Sequence, residues 1–227
     1  MADASQMPHA ERHRLLVEKL AAAVTPVRPL WPVRVRLGLW LLLEAIVLFW
    51  VATHTGNDFM RKLGHLDYAL EVVFFAAAAT LAAMMALRVA IPGRSAGPRE
   101  VALAVVLVLI GTVLIAVGEP ARTSYPLGEF LHEGIGCAVQ TCVLAALPWL
   151  ALWWGVKRGA PMRGAAAGAL TGAAALLFSF ALMRIECSID EPLHLVIWHL
   201  LPALGLIALS SLAGAVWLRF RPRVRPV

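Results

Sequence analysis

A chain of 227 residues that is 60% hydrophobic and carries a net charge of +6 does not have the composition of a soluble domain. Soluble domains are about half apolar, and here the apolar runs take up nearly everything after residue 34. With 15% charged residues, and the basic ones gathered mainly at the ends and in short connections, the excess positive charge calls for no nucleic-acid partner.

The N-terminal stretch 8–24 reads as a short helix, with Pro8 at its first turn and Leu16, Leu20 and Val24 recurring every fourth residue. Thr25-Pro26 ends the pattern, because the residue before a proline is pushed out of the helical region. Pro26, Pro29 and Pro32 then make a stiff link. The helix has two readings: it rests on the membrane surface with its apolar face down, or it docks that face into a groove on a cytoplasmic partner. A secretory signal would place its apolar run promptly after a short charged stretch. The first apolar run here begins after some thirty-five polar and mixed residues and reads as a permanent helix.

Six stretches then reach the roughly 20 apolar residues needed to cross about 30 Å of hydrocarbon: 35–53, 66–91, 101–118, 134–156, 164–183 and 195–220. None alternates as barrel strands do, and lipid cannot satisfy exposed backbone, so helices are expected. The fold class is an all-α integral membrane protein, a bundle of six transmembrane helices preceded by a short cytoplasmic amphipathic helix. Its divisions are a cytoplasmic segment 1–34, the transmembrane domain 35–220 and a basic tail 221–227. Sixteen of the twenty Lys and Arg fall in the first 36 residues, the loops near 88–100 and 157–163, and the C-terminal stretch from Arg219. The other side holds Arg61, Lys62, Arg122 and Arg184. The positive-inside rule therefore places both termini in the cytoplasm.

That topology also places the three cysteines. Cys137 is expected about one turn below the extracytoplasmic surface and Cys187 in the extracytoplasmic loop before the last span. Cys137 and Cys142 are five apart on one helix, about 140° apart around its axis, and too distant to bond. Any disulfide would join Cys137 to Cys187. Redox chemistry is the expectation for these two, and Cys142 reads as a small buried hydrophobe. A metal is the competing use, since His132, Glu133, Cys137, Glu186, Cys187, Asp190, Glu191 and His194 gather near one membrane face. No pair has the tight Cys-x-x-Cys or His-x-x-x-His spacing, so no metal and no other cofactor is expected.

Within the bilayer, Glu44, Glu71 and His199 are the ionisable groups. They are expected to face the bundle interior. A transporter of small polar ligands or metals would join them by a polar path, which is the alternative function; a structural subunit of a larger membrane complex is a third. No nucleophile–base set, phosphate loop or paired-carboxylate motif can be assembled, so no enzyme is expected.

Several ordered motifs resemble one known family. They are Leu20-Ala-Ala-Ala-Val-Thr-Pro-Val-Arg-Pro29, Arg88-Val-Ala-Ile-Pro-Gly-Arg94, the stretch from Gly134 through Cys137 to Pro148, Lys157-Arg-Gly-Ala-Pro161, and Cys187 to Pro192 followed by Trp198-His199. Together they resemble the NrsF-type anti-sigma factors, six-span inner-membrane proteins that hold an extracytoplasmic-function sigma factor inactive. Cys142 is an additional thiol, and Lys157 stands where that pattern has arginine. The resemblance implies that Cys137 and Cys187 sense oxidant or thiol-reactive metal. It implies a cytoplasmic grip on the sigma factor by Leu16, Leu20, Val24, Pro26, Val27 and Arg28, without direct nucleic-acid contact. His194, Trp198, His199 and Glu71 are candidate sensor or structural residues.

A reporter fused after Arg221 should therefore behave as cytoplasmic, and one inserted near Thr123 as exported. The reverse pattern in a fusion assay would overturn the orientation.

Overall fold

In a computed structural model, described for residues 8–22, 29–55, 58–94, 126–189 and 191–218 and for separate positions between 99 and 113, every secondary-structure element is a helix. They are α1 (His9–Ala22), α2 (Val33–Thr55), α3 (Asp58–Leu63), α4 (Leu66–Val89), α5 (Leu127–Lys157), α6 (Gly164–Glu186) and α7 (Pro192–Trp217). Five of these, α2, α4, α5, α6 and α7, are long and apolar enough to cross a membrane. The expected span at 101–118 falls largely outside the described residues. The five helices agree with a multi-pass membrane protein. Their outer faces carry Phe49, Val143, Leu147, Trp154, Leu209 and Leu212, all exposed as hydrocarbon-facing side chains would be.

Helix α1 and the chain to Leu30 form a compact unit apart from Trp31–Val227. In α1, Leu16 and Leu20 are exposed on one face and Arg14 pairs with Glu18 at 3.2 Å.

In the larger unit, α6 is the central element. Almost nine-tenths of its apolar window is buried, against 17–50% for the other four. It packs chiefly on α7 and α4, and then on α5. Composition explains why. Gly164, Gly168 and Gly172 recur every four residues and form a flat stripe, against which α7 lays Ser210 and Gly214. A Cβ at Gly164 would sit 2.2 Å from the Gly214 carbonyl oxygen, and one at Gly168 equally close to that of Ser210. Small residues at this spacing let two helix backbones meet in a solvent that supplies no hydrophobic drive between them. Ser210 crosses the same contact, donating to the Gly168 carbonyl at 2.6 Å while accepting from Trp149 Nε1 at 2.8 Å.

One end of the bundle is tied by Arg36. Its guanidinium donates to the carbonyls of Trp31, Gly155 and Leu87 at 3.1, 3.1 and 3.4 Å. Gly155 and Leu87 lie in the last turns of α5 and α4, whose carbonyls have no intrahelical donor and carry partial negative charge. The functional residues gather at the opposite end, where α6 finishes and α5 and α7 begin.

Helix α5 starts seven residues earlier than its apolar run suggests, because Pro126 opens it and Leu127–Glu133 continue it with Glu129, His132 and Glu133 exposed. Cys137 consequently lies almost three turns into the helix. The short helix α3 had no signal in the hydropathy.

Gly168→Val should drive side-chain atoms into the Ser210 backbone and force α6 and α7 apart, at a cost of at least about 1–3 kcal/mol. The expected result is a lower unfolding midpoint in detergent. Gly205, with nothing within 4 Å of a Cβ, should accept alanine without loss. Equal behaviour of the two variants would remove the close approach as the reason for the fold.

Candidate functional site: a buried thiol–imidazole cluster

Cys137, Cys187, His194 and His199 meet where α5, α6 and α7 converge. Each offers one donor atom, and these four atoms all lie within 4.8 Å of one another. The two sulfurs are 3.8 Å apart, and Cys187 Sγ is 3.8 Å from His194 Nε2. A disulfide would need about 2.05 Å, so both cysteines are free thiols. Both histidines are fully buried and Cys187 is only 5% exposed.

The histidine pair depends on a local irregularity. Residues five apart on an α-helix point about 140° away from each other. Leu195–Leu200, however, form a π-helical turn, in which i→i+5 bonds bring such residues one above the other. Pro202 favours the slip, since it has no N–H to give the Trp198 carbonyl in α-register. The Leu201 N–H bonds to Val196 instead. His194 and His199 therefore face the same way, ring centroids 5.4 Å apart.

Cross-links hold each group in place. Thr141, one turn after Cys137, donates to the Cys137 carbonyl at 2.9 Å, and its hydroxyl lies 3.5 Å from His199 Nδ1. Ser179 of α6 donates to the Thr141 carbonyl at 2.6 Å. Lys62 of α3 donates to the Cys187 carbonyl at 2.8 Å. Phe130 stacks edge-on to His194, and Phe180 to His199. The Trp198 indole covers Gly134, where a Cβ would overlap the ring. The hydrogen bond with Cys137 holds the Cys187 thiol well below the usual thiol range. Burial opposes this, and the neighbouring imidazoles of His194 and His199 reinforce it.

Beside the cluster, Arg184, three residues before Cys187, pairs with Glu71 of α4 at 2.9 Å, both side chains buried. The Tyr68 hydroxyl donates to the Arg184 carbonyl and its ring faces the guanidinium at 5.3 Å. The arginine counted as an extracytoplasmic charge thus serves inside the bundle.

The structure brings Cys137, Cys187 and His194 together as one group, adds His199, and seats Trp198 beside it. His132 and Glu133 are exposed, and Glu186 ends α6; these stand outside the four donors. Asp190, like Val24, Pro26, Val27 and Arg28, lies outside the described residues. His199 was placed among the intramembrane ionisable groups by its depth in the last apolar run, and its α-helical register would point it away from His194; only Pro202, three residues after His199, hinted at the π-turn. Sensing thiols were expected to be exposed, whereas Cys187 is buried, drawn in by Lys62 and the π-turn. Cys142 faces elsewhere, lining an apolar groove of about 300 Å³ with Trp149, Leu206 and Leu209. The transporter's three groups sit in separate settings: Glu71 engages Arg184, His199 engages Thr141, and both oxygens of buried Glu44 have no hydrogen-bond partner among the described residues.

A helical bundle with five membrane-length helices and a buried thiol–imidazole cluster at one end has the make-up of a small multi-pass membrane protein. The NrsF family model, described as negative regulator of sigma F, matches residues 20–220, and the chain belongs to that family. Neither a curated protein nor a solved structure matches it.

Arg184→Met would leave Glu71 buried without its cation, a loss of about 3–5 kcal/mol by analogy with broken buried pairs. The Arg184→Met, Glu71→Gln double variant should recover part of that loss in thermal unfolding. Additive losses would show that the two side chains do not depend on each other.

Proposed function

We propose that this chain is a membrane-embedded anti-sigma factor. It sits in the bacterial inner membrane with both termini in the cytoplasm, holds an extracytoplasmic-function sigma factor there, and releases it when Cys137 and Cys187 are modified. The observation that carries the reading is the family match over 20–220 together with a free thiol pair 3.8 Å apart at one end of the bundle. The basic-residue asymmetry supports the orientation. The exposed Leu16 and Leu20 of α1 support a docking helix, whose apolar stripe would lie in a groove of the sigma factor. No catalytic role is assigned.

The chemistry is simple for peroxide as oxidant. Two thiols give up two protons and two electrons, one S–S bond forms, and the peroxide leaves as two waters. The sulfurs must close from 3.8 Å to about 2.05 Å. Cys187 comes directly after α6, so that closure pulls on the helix that touches the other four long helices among the described residues. This supports α6 as the element that carries the signal.

The test is co-purification of the full-length protein with sigma factors from its own cell, with and without peroxide. A sigma factor should be retained under reducing conditions and lost on oxidation. Cys137→Ser and Cys187→Ser should each blunt the loss, and Cys142→Ser should not. Leu16→Asp or Leu20→Asp should weaken retention at unchanged protein level, because each puts a charge into an apolar contact. Absence of any sigma factor would overturn the function. Peroxide release in the double cysteine variant would overturn the thiol mechanism alone.

A further inference from the structure

We propose that Cys137, Cys187, His194 and His199 form a four-coordinate site for a resident zinc-class divalent cation. The inference stands on the geometry of the four donors and is independent of sigma-factor binding.

Two of the donor separations match the edges of a tetrahedron. With metal–sulfur bonds of about 2.3 Å and metal–nitrogen bonds of about 2.0–2.1 Å, tetrahedral angles put two sulfurs about 3.8 Å apart and sulfur and nitrogen about 3.6 Å apart. The structure has 3.8 Å between the sulfurs and 3.8 Å between Cys187 Sγ and His194 Nε2, with all four donors inside 4.8 Å. Two thiols meeting only as weak hydrogen-bond partners need not converge with two imidazoles in this way.

Unsatisfied atoms supply a second, separate observation. His199 is fully buried, and its Nε2 has no hydrogen-bond partner among the described residues, while Nδ1 faces Thr141. Buried ring nitrogens are normally paired. A metal on Nε2 removes the deficit, and the Thr141 hydroxyl then orients the ring from behind, as outer partners of metal-bound histidines do. His194 Nδ1 is likewise without a partner among the described residues, and a ring flip decides which of its nitrogens meets the metal.

Charge and softness choose the ion. Two thiolates and two neutral imidazoles cancel a divalent cation, which suits a site shut away from water. The same thiolates without a cation would be costly to bury. Two sulfurs and two nitrogens in a closed tetrahedron fit zinc, and exclude magnesium and calcium, which take oxygen ligands. Four protein ligands leave no open position, so the site is structural. It ties α5, the end of α6 and the π-turn of α7 into one knot. The His-x4-His spacing hides it from motif reading, because it ligates from one face only through the π-turn.

The test uses the full-length protein purified in detergent under reducing conditions, without chelator, and exchanged into metal-free buffer. Elemental analysis should find stoichiometric zinc. Apo protein titrated with Co2+ should develop the visible bands and thiolate-to-cobalt charge transfer of a tetrahedral S2N2 centre, reversed by Zn2+. His199→Ala should lose the metal while both thiols remain available for alkylation, and Cys142→Ser should keep it. Should His199→Ala fail to fold, the cobalt spectrum of the unaltered protein decides. Wild-type protein without zinc and without a tetrahedral cobalt spectrum would overturn the site, whatever sigma factor it binds. Stoichiometric metal retained in a His194→Ala, His199→Ala variant would overturn the ligand assignment.

Discussion

Helices α6 and α7 meet backbone to backbone along Gly164, Gly168, Gly172, Ser210 and Gly214, close enough that a single added Cβ would overlap a carbonyl oxygen. This approach sets the register in which the two helices lie side by side, and the geometry of the thiol–imidazole end depends on that register. Cys187 directly follows α6, while His194 and His199 lie in the first turns of α7. Their sulfur and nitrogen atoms come within a metal's reach because the connection between the helices is short and their axes are pinned together. Four residues of slip along the stripe would shift the partners by about 6 Å, and the cluster would be lost.

The remaining fixtures hold the same end. Glu71 and Arg184 join α4 to α6 one turn from Cys187, and Lys62 takes the Cys187 carbonyl. A buried ion pair is poor evidence of net stability, since taking two charges out of water costs about as much as their attraction returns. Its use here is positional. It fixes the rotation of α6 against α4, and so the direction in which Cys187 leaves the helix. At the other end Arg36 gathers the closing turns of α4 and α5. The bundle is fastened at both ends, with a helix buried along its length between them.

What hydropathy could reach was the helical class and the approximate place of the five membrane-length helices. The pairing of Cys137 with Cys187 across fifty residues was also legible, from topology and the bonding limits of a helix. His199 was not. Period 3.6 counting separates it from His194, and the π-turn that reunites them comes from a missing N–H at Pro202 and from tertiary packing. The Arg184–Glu71 pair was hidden for a similar reason: a charge count assigns each basic residue to a side of the membrane and has no way to turn one inward. The start of α5 was missed because Glu129, His132 and Glu133 break the apolar run without breaking the helix.

Energetics separate the two uses of the thiols. Shifting a regulator from 1:99 to 99:1 between holding and releasing states takes about 5.5 kcal/mol. One disulfide is typically worth about 2–4 kcal/mol, so bond formation alone would give a graded response. Binding of a structural zinc in small peptides amounts to about 10–16 kcal/mol at neutral pH. The bundle needs to convert only part of that into a preference for one packing. In the proposed site, oxidising Cys137 and Cys187 removes two of four ligands in the same event that forms the bond. Expulsion of the metal and closure of the disulfide then act on the same point, the C-terminal end of α6, and their effects add. A thiophilic metal that displaces zinc would act there too, with no electron transferred, because it changes bond lengths at the residue on which the buried helix ends. On this proposal oxidant and thiophilic metal would converge on one junction for a physical reason: Cys187, one of the soft ligands, directly follows the buried helix α6.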